Sequence, residues 1–79
     1  SFIADGDMVL MEPVHDPSRL RNGTVVSAMV PGLGTTLKHF FRDGSLVRLE
    51  AANSSYEAIE IDAEQIHIQG KLAAVWRKT

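Results

Sequence analysis

The sequence predicts an all-β domain, a small, partly open barrel or coiled antiparallel sheet of about six short strands. Apolar residues nowhere keep the i, i+3, i+4, i+7 spacing of an amphipathic helix. Short runs rich in β-branched residues are bounded instead by glycine, proline, asparagine and aspartate, a pattern typical of strands joined by turns. With 79 residues, the chain forms one small domain at most.

Each predicted strand is a run of this kind between turn residues. The predicted strands are residues 8–11, 24–30, 35–42, 45–50, 59–61 and 65–77, with a single turn at 62–65. Asn22-Gly23 and Asp43-Gly44 are both typical of tight turns, and the alternating runs on either side of Asp43-Gly44 predict a hairpin. Gly70 interrupts the last strand, which predicts a bulge or a bend.

The composition excludes several classes of function. The net charge is −2 and the basic residues are scattered among acids, which argues against binding of nucleic-acid phosphates as the main role. The absence of cysteine excludes disulfides and thiolate metal sites. His15, His39 and His67 lack the spacing of metal ligands, and we therefore predict neither a metal nor another cofactor. No apolar run is long enough to span a membrane.

Lys38 has two interpretations. It lies in the predicted hairpin, on the same parity as Phe40 and between Leu37 and His39. As a surface residue, it would project from the solvent face of the hairpin. As a desolvated residue, it would lose its charged form, because burial opposes the ammonium, and its neutral amine would take the proton of a serine hydroxyl. The pattern around Lys38 leaves both interpretations open.

Five motifs, in order, resemble the C-terminal domain of LexA-type repressors. These proteins belong to a serine–lysine self-cleaving family that also includes UmuD-like proteins and phage repressors. The motifs cover essentially the whole chain and read A-D-G-D-M-V-L, R-N-G-T-V-V, T-L-K-H-F-F-R-D-G, V-R-L-E-A-A-N-S-S-Y-E-A-I and Q-I-H-I-Q-G-K-L-A-A-V-W-R. An ordered set of five motifs is far more specific than any one of them.

The resemblance implies roles for particular residues. Lys38 matches the catalytic lysine, which acts as the general base. The turn that follows the nucleophile segment corresponds to Asp5, Gly6 and Asp7, and Asn53 matches the asparagine of a later loop. The run from 65 to 77 matches the strands that help to form a homodimer. The residues assigned to this dimer edge are Gln65, Ile66, His67, Ile68, Gln69, Trp76 and Arg77.

The resemblance also implies a function, that of a cytoplasmic, homodimeric repressor of the DNA-damage (SOS) response whose self-cleavage is stimulated by activated RecA filaments. The family's nucleophilic serine lies in a Ser-Met segment that would fall before residue 1, since Ser1 stands too close to Asp5 and is not followed by methionine. The connection over residues 15–20 is also longer than the family's pattern. We therefore expect a truncated domain, inactive alone, whose parent carries the cleavage site and the N-terminal domain that contacts DNA.

Two other functions stay open at this point. A relative that no longer cleaves itself would use the domain for dimerisation only, and the residues before Ser1 would distinguish the two cases. An OB-like barrel that binds single-stranded nucleic acid would need exposed aromatic side chains along a basic groove. We expect Phe40, Phe41 and Trp76 to lie in the core instead.

Overall fold

The structure, a computed structural model, describes residues 3, 6–51 and 57–77, and within them six antiparallel strands form one sheet. The strands are β1 (Met8–Pro13), β2 (Val25–Val30), β3 (Gly34–Asp43), β4 (Leu46–Glu50), β5 (Ile59–Asp62) and β6 (His67–Trp76), with single 3-10 turns at Pro17–Arg19 and Ala63–Gln65. Their order across the sheet is β1-β6-β2-β3-β4-β5. The predicted all-β class is confirmed, and the sheet is open rather than closed into a barrel.

The β3–β4 hairpin forms as its alternating pattern predicts. Asp43 pairs with Leu46, which makes Gly44 and Ser45 the two residues of the loop. The turn therefore lies one residue later than the Asp-Gly dipeptide suggests. Gly44 has a φ of 60°, in the left-handed region that glycine adopts without steric cost.

The turn at Asn22-Gly23 is present, but it does not join two paired strands. It lies between the first 3-10 turn and β2, and it is bound to β3 across the sheet. The Gly23 N–H donates to the Phe40 carbonyl oxygen at 2.7 Å, and the Asn22 Oδ1 accepts from the Arg42 N–H at 2.8 Å. The predicted turn is thus confirmed. Its hydrogen bonds to β3 are tertiary contacts, which the local sequence pattern does not predict.

A 3-10 turn occupies the connection before that turn. Asp16 caps it, because its Oδ1 accepts from both the N–H and the hydroxyl of Ser18, at 3.1 and 2.6 Å. These hydrogen bonds hold the pKa of the Asp16 carboxyl below its usual value. Pro17, at the first position of the turn, fixes a backbone angle that suits this start. The connection is therefore ordered by local capping.

The hydrophobic core lies on one face of the sheet. Its buried members are Val26, Ala28, Val30, Phe40, Val47, Leu49 and Ile68. Phe40 and Leu49 stand directly opposite each other on β3 and β4, and both are fully buried. The expectation that Trp76 belongs to the core is wrong, since its side chain is 55% exposed. The expectation is also wrong for Phe41, which is half-buried and points to the opposite face, as the alternation of a strand requires.

Gly70 marks an irregular point in β6, and the predicted bulge is confirmed. On β2, Ser27 pairs with Gly70 and Ala28 with Ile68, which leaves Gln69 as an extra residue. On its other side, Gly70 lies close to β1. A Cβ atom built on Gly70 would stand 2.9 Å from the carbonyl oxygen of Glu12, a distance that side chains do not tolerate. A side chain at this position would therefore push β1 and β6 apart.

Substituting Gly70→Ala is expected to lower the free energy of unfolding by about 1–3 kcal/mol, because the new methyl group meets backbone rather than a flexible side chain. Ala73→Ser, at an exposed position of the same strand, is the control and should change stability by less than about 0.5 kcal/mol. Denaturant unfolding of the intact protein measures both. Equal stabilities for the two variants would contradict the proposed close approach.

Candidate functional site

Lys38 lies on the face of the sheet that carries the core. It is two residues from Phe40 on β3 and therefore projects to the same side. Across the strand pair it faces Val26, which is fully buried, and Lys38 itself is half-buried. The structure thus argues against the interpretation of Lys38 as a lysine on the solvent face of the hairpin.

On this face Lys38 belongs to a row of paired residues that crosses the neighbouring strands β3, β2 and β6. Val26 pairs with Lys38 on one side and with Lys71 on the other, so that the two lysines flank one buried valine. Two cavities beside Lys71 in the described part of the chain, of about 170 and 380 Å³, are not lined by Lys38.

The turn before β1 is joined to the end of β6 by an ion pair. Gly6 has a φ of 87°, which allows the chain to turn sharply into Asp7. Arg77 donates from Nε to Oδ1 of Asp7 at 3.3 Å and from Nη2 to Oδ2 at 3.2 Å. The Asp7 side chain is only 3% exposed, while that of Arg77 is 60% exposed. The hydrogen bond to Asp7 raises the pKa of Arg77 above its usual value.

Asp5 and Asn53, two of the predicted site residues, lie outside the described residues. Of the turn, Gly6 and Asp7 are described, and they lie at the far end of the β1–β6 pair from the row that holds Lys38. The described residues therefore do not bring the turn and Lys38 together. Their assignment to one active site remains a prediction.

The predicted dimer strand is not at the edge of the sheet. β6 lies between β1 and β2, and β1 and β5 are the outer strands. Among the described residues, β2 pairs with β6 only as far as Lys71, and residues 72–76 pair with β1 alone. Ile68 is buried in the core, and its side chain therefore does not face a second chain. Gln65 and Ile66 precede the strand, while His67, Gln69, Trp76 and Arg77 are exposed.

Exposed apolar side chains at the outer end of the β1–β6 pair were not predicted from the sequence. Met8 and Leu10 of β1 and Trp76 of β6 lie on one face of the strand pair and Val9 on the other, and we call these four residues the apolar arm. Met8 pairs directly with Trp76. The signal was present in the sequence, because residues 8–11 are apolar on both parities, as in a strand that is covered on both faces.

Comparison with known proteins identifies the family. The model of the Peptidase S24-like family matches residues 1–73. The chain belongs to the Peptidase S24-like family. Among curated relatives, it is 38% identical over 76 residues to the LexA repressor of Koribacter versatilis and 42% identical over 76 residues to that of Erythrobacter litoralis. It is 34% identical over 76 residues to the transcription regulator LexA of Synechocystis.

These matches cover 96% of this S24-like chain and 35, 31 and 37% of the respective relatives. The chain thus spans about a third of the length of the curated relatives it matches. The resemblance to the C-terminal domain of LexA-type repressors is confirmed. In the described part of this S24-like chain, no helix is long and apolar enough to cross a membrane.

Proposed function

We propose that this chain is the catalytic and dimerisation domain of a LexA-like transcriptional repressor that cleaves itself in response to DNA damage. The observation that carries the proposal is the half-buried position of Lys38 on the core face of an S24-like sheet. Lys38 also faces Val26, which is fully buried, on the neighbouring strand.

The proposed chemistry gives Lys38 the role of general base toward a serine nucleophile. In the proposed reaction, Lys38 takes the proton of an upstream serine hydroxyl as the serine Oγ attacks the carbonyl carbon of the scissile peptide bond. The proton passes to the leaving amine when the C–N bond breaks, and water then hydrolyses the acyl-enzyme ester.

Self-cleavage would lower the affinity of the repressor for its operator. A dimeric repressor holds two DNA-binding domains at the spacing of two half-sites, which makes binding of the second one effectively intramolecular. Cleavage would separate these domains from the dimerising domain and remove that advantage. In this proposal the protein works in the cytoplasm, an activated RecA filament stimulates the cleavage, and the chain's own net charge of −2 fits DNA contacts made by another domain.

The test is self-cleavage of the intact protein that contains this chain. Incubation at alkaline pH, or near neutral pH with activated RecA filaments, is expected to yield two fragments at a rate independent of protein concentration. Electrophoresis and mass spectrometry detect the fragments and locate the cut. A protein that stays intact under both conditions would refute the proposal and leave a dimerisation module that does not cleave itself.

Dimerisation is proposed through the β1–β6 pair. The apolar arm is exposed, β1 is an outer strand of the sheet, and residues 72–76 pair with one strand only among those described. Outer strands and exposed apolar side chains are the features through which a second chain adds to a sheet. A contact here would cover both features at once.

Analytical ultracentrifugation of the intact protein is expected to show a dimer. Leu10→Glu should raise its dissociation constant at least about tenfold, because a charged side chain would enter the apolar contact. Leu33→Glu is the matched control, since Leu33 is also an exposed leucine but lies in the β2–β3 loop, and its effect should be small. A stable monomer, or equal effects of the two variants, would contradict this interface.

A further inference from the structure

We propose that Arg77 is a positioning residue for self-cleavage, holding the carboxylate of Asp7 and with it the turn from which the upstream nucleophile segment departs. The inference rests on the proposed function and deepens it. It assigns a role in the reaction to a residue at the opposite end of the β1–β6 pair from the row of Lys38.

The geometry of the pair suits this role. Asp7 directly precedes Met8, Arg77 directly follows Trp76, and their ion pair lies just beyond this last pair of the two strands. Two separate N–H groups of one guanidinium reach the two oxygens of one carboxylate, at 3.3 and 3.2 Å. Such a two-point contact fixes the orientation of the carboxylate as well as its distance.

A second ion pair on the same two strands provides the comparison. Lys71 lies 3.9 Å from Glu12, with exposed side-chain fractions of 46 and 56%. Exposed pairs of this kind contribute little to stability and hold their side chains only weakly. Asp7 differs because its side chain is 3% exposed, and removal of Arg77 would leave a carboxylate without the two N–H donors that now face it.

The orientation of the turn at Asp7 is important because the row of Lys38 lies far from it. From Lys71, in the row of Lys38, to Arg77 the strand runs six residues, or about 20 Å at about 3.3 Å per residue. A rotation of about 10° at the turn moves a group about 20 Å away by about 3–4 Å. A nucleophile must lie within about 3 Å of its base, and a misplacement of about 1 Å can cost about a hundredfold in rate. Small changes at Asp7 would therefore be amplified at the site of reaction.

The experiment compares Arg77→Ala, Arg77→Lys and the control Lys71→Ala in the intact protein. Two rates are measured well below the melting temperature of each variant: self-cleavage at alkaline pH, and acylation of the nucleophilic serine by a fluorophosphonate probe. Arg77→Ala is expected to slow both reactions at least tenfold, while Lys71→Ala stays within twofold of wild type. Arg77→Lys should recover part of the loss, because one ammonium restores the charge but not the two-point contact.

The acylation rate, compared with the folded and dimeric fractions of each variant, distinguishes a loss of positioning from a loss of folded protein. Scanning calorimetry gives the folded fraction, and ultracentrifugation gives the dimeric fraction of each variant. The proposal is overturned if Arg77→Ala reacts like wild type, or if its loss in rate equals its loss of folded or dimeric protein. Should Arg77→Ala fail to fold, Arg77→Lys decides, since equality with Lys71→Ala in a fully folded protein overturns the proposal. A wild-type protein that does not cleave itself refutes the proposed function instead, before any variant is compared.

Discussion

Replacing Lys38 by alanine in the intact protein is expected to reduce the rate of self-cleavage by about 10²–10⁴-fold, both at alkaline pH and with activated RecA. The amine is the proposed acceptor of the serine proton, and alanine provides no replacement. Lys38→Arg should be equally inactive, because a guanidinium keeps its proton at any pH that proteins tolerate. Fragment yield over time, followed by electrophoresis, measures both variants.

Lys71 provides the control for this prediction. It pairs with the same buried residue, Val26, from the opposite strand, and Lys71→Ala therefore removes a lysine from the same row of the sheet. Its rate of self-cleavage should stay within twofold of wild type. Unchanged cleavage by Lys38→Ala would refute the catalytic assignment, and so would an equal loss in the two alanine variants. Scanning calorimetry shows whether each variant is folded when its rate is measured.

Phe40→Ala is expected to lower the free energy of unfolding by about 3–5 kcal/mol. The ring is 2% exposed and faces Leu49, in the middle of the sheet and of the core. Removing it leaves a cavity that the neighbouring strands fill only partly, since their backbones are held by the sheet. Small domains are stable by only a few kcal/mol, and much of this domain should unfold near physiological temperature.

Phe41→Ala is the matched control, because the same side chain is removed one residue away on the opposite face. Phe41 is half-buried, and the guanidinium of Arg48 lies 5.1 Å from the centre of its ring. Its loss should cost about 1 kcal/mol, from the partial burial and this cation–π contact. Denaturant unfolding of the intact protein compares the two variants. A cost for Phe41→Ala equal to that for Phe40→Ala would contradict the one-sided core.

The local elements were predictable because their information is local. The β3–β4 hairpin follows from alternating side chains and a glycine turn within a few residues, and the structure moves its loop by only one position. The parity of Lys38 and Phe40 also follows from the period of a strand. Once one face of the sheet is known to hold the core, that parity is sufficient to place Lys38 on it.

The positions of β6 and of Trp76 were not predictable in the same way. Which strands flank β6 depends on pairing between segments far apart in the chain, and the residues of β1 pair with residues 57 to 68 positions further along the sequence. An apolar run indicates that its side chains are covered, but it does not show whether another strand of the same chain or a second chain covers them. Trp76 was therefore predicted in the core, whereas it lies in the exposed apolar arm. The Asp7–Arg77 ion pair joins residues 70 positions apart, and no local spacing indicates it.

By itself, the sequence determined the all-β class, the approximate strands and turns, and the ordered motifs that identify a LexA-like domain, because periodicity, turn residues and motifs are properties of neighbouring positions. Only the tertiary structure decided that the sheet stays open, that β6 is an inner strand, that Lys38 lies on the core face beside Val26, and that Arg77 holds Asp7. These features depend on which distant segments pair, and pairing depends on the burial and hydrogen bonding of the whole sheet at once.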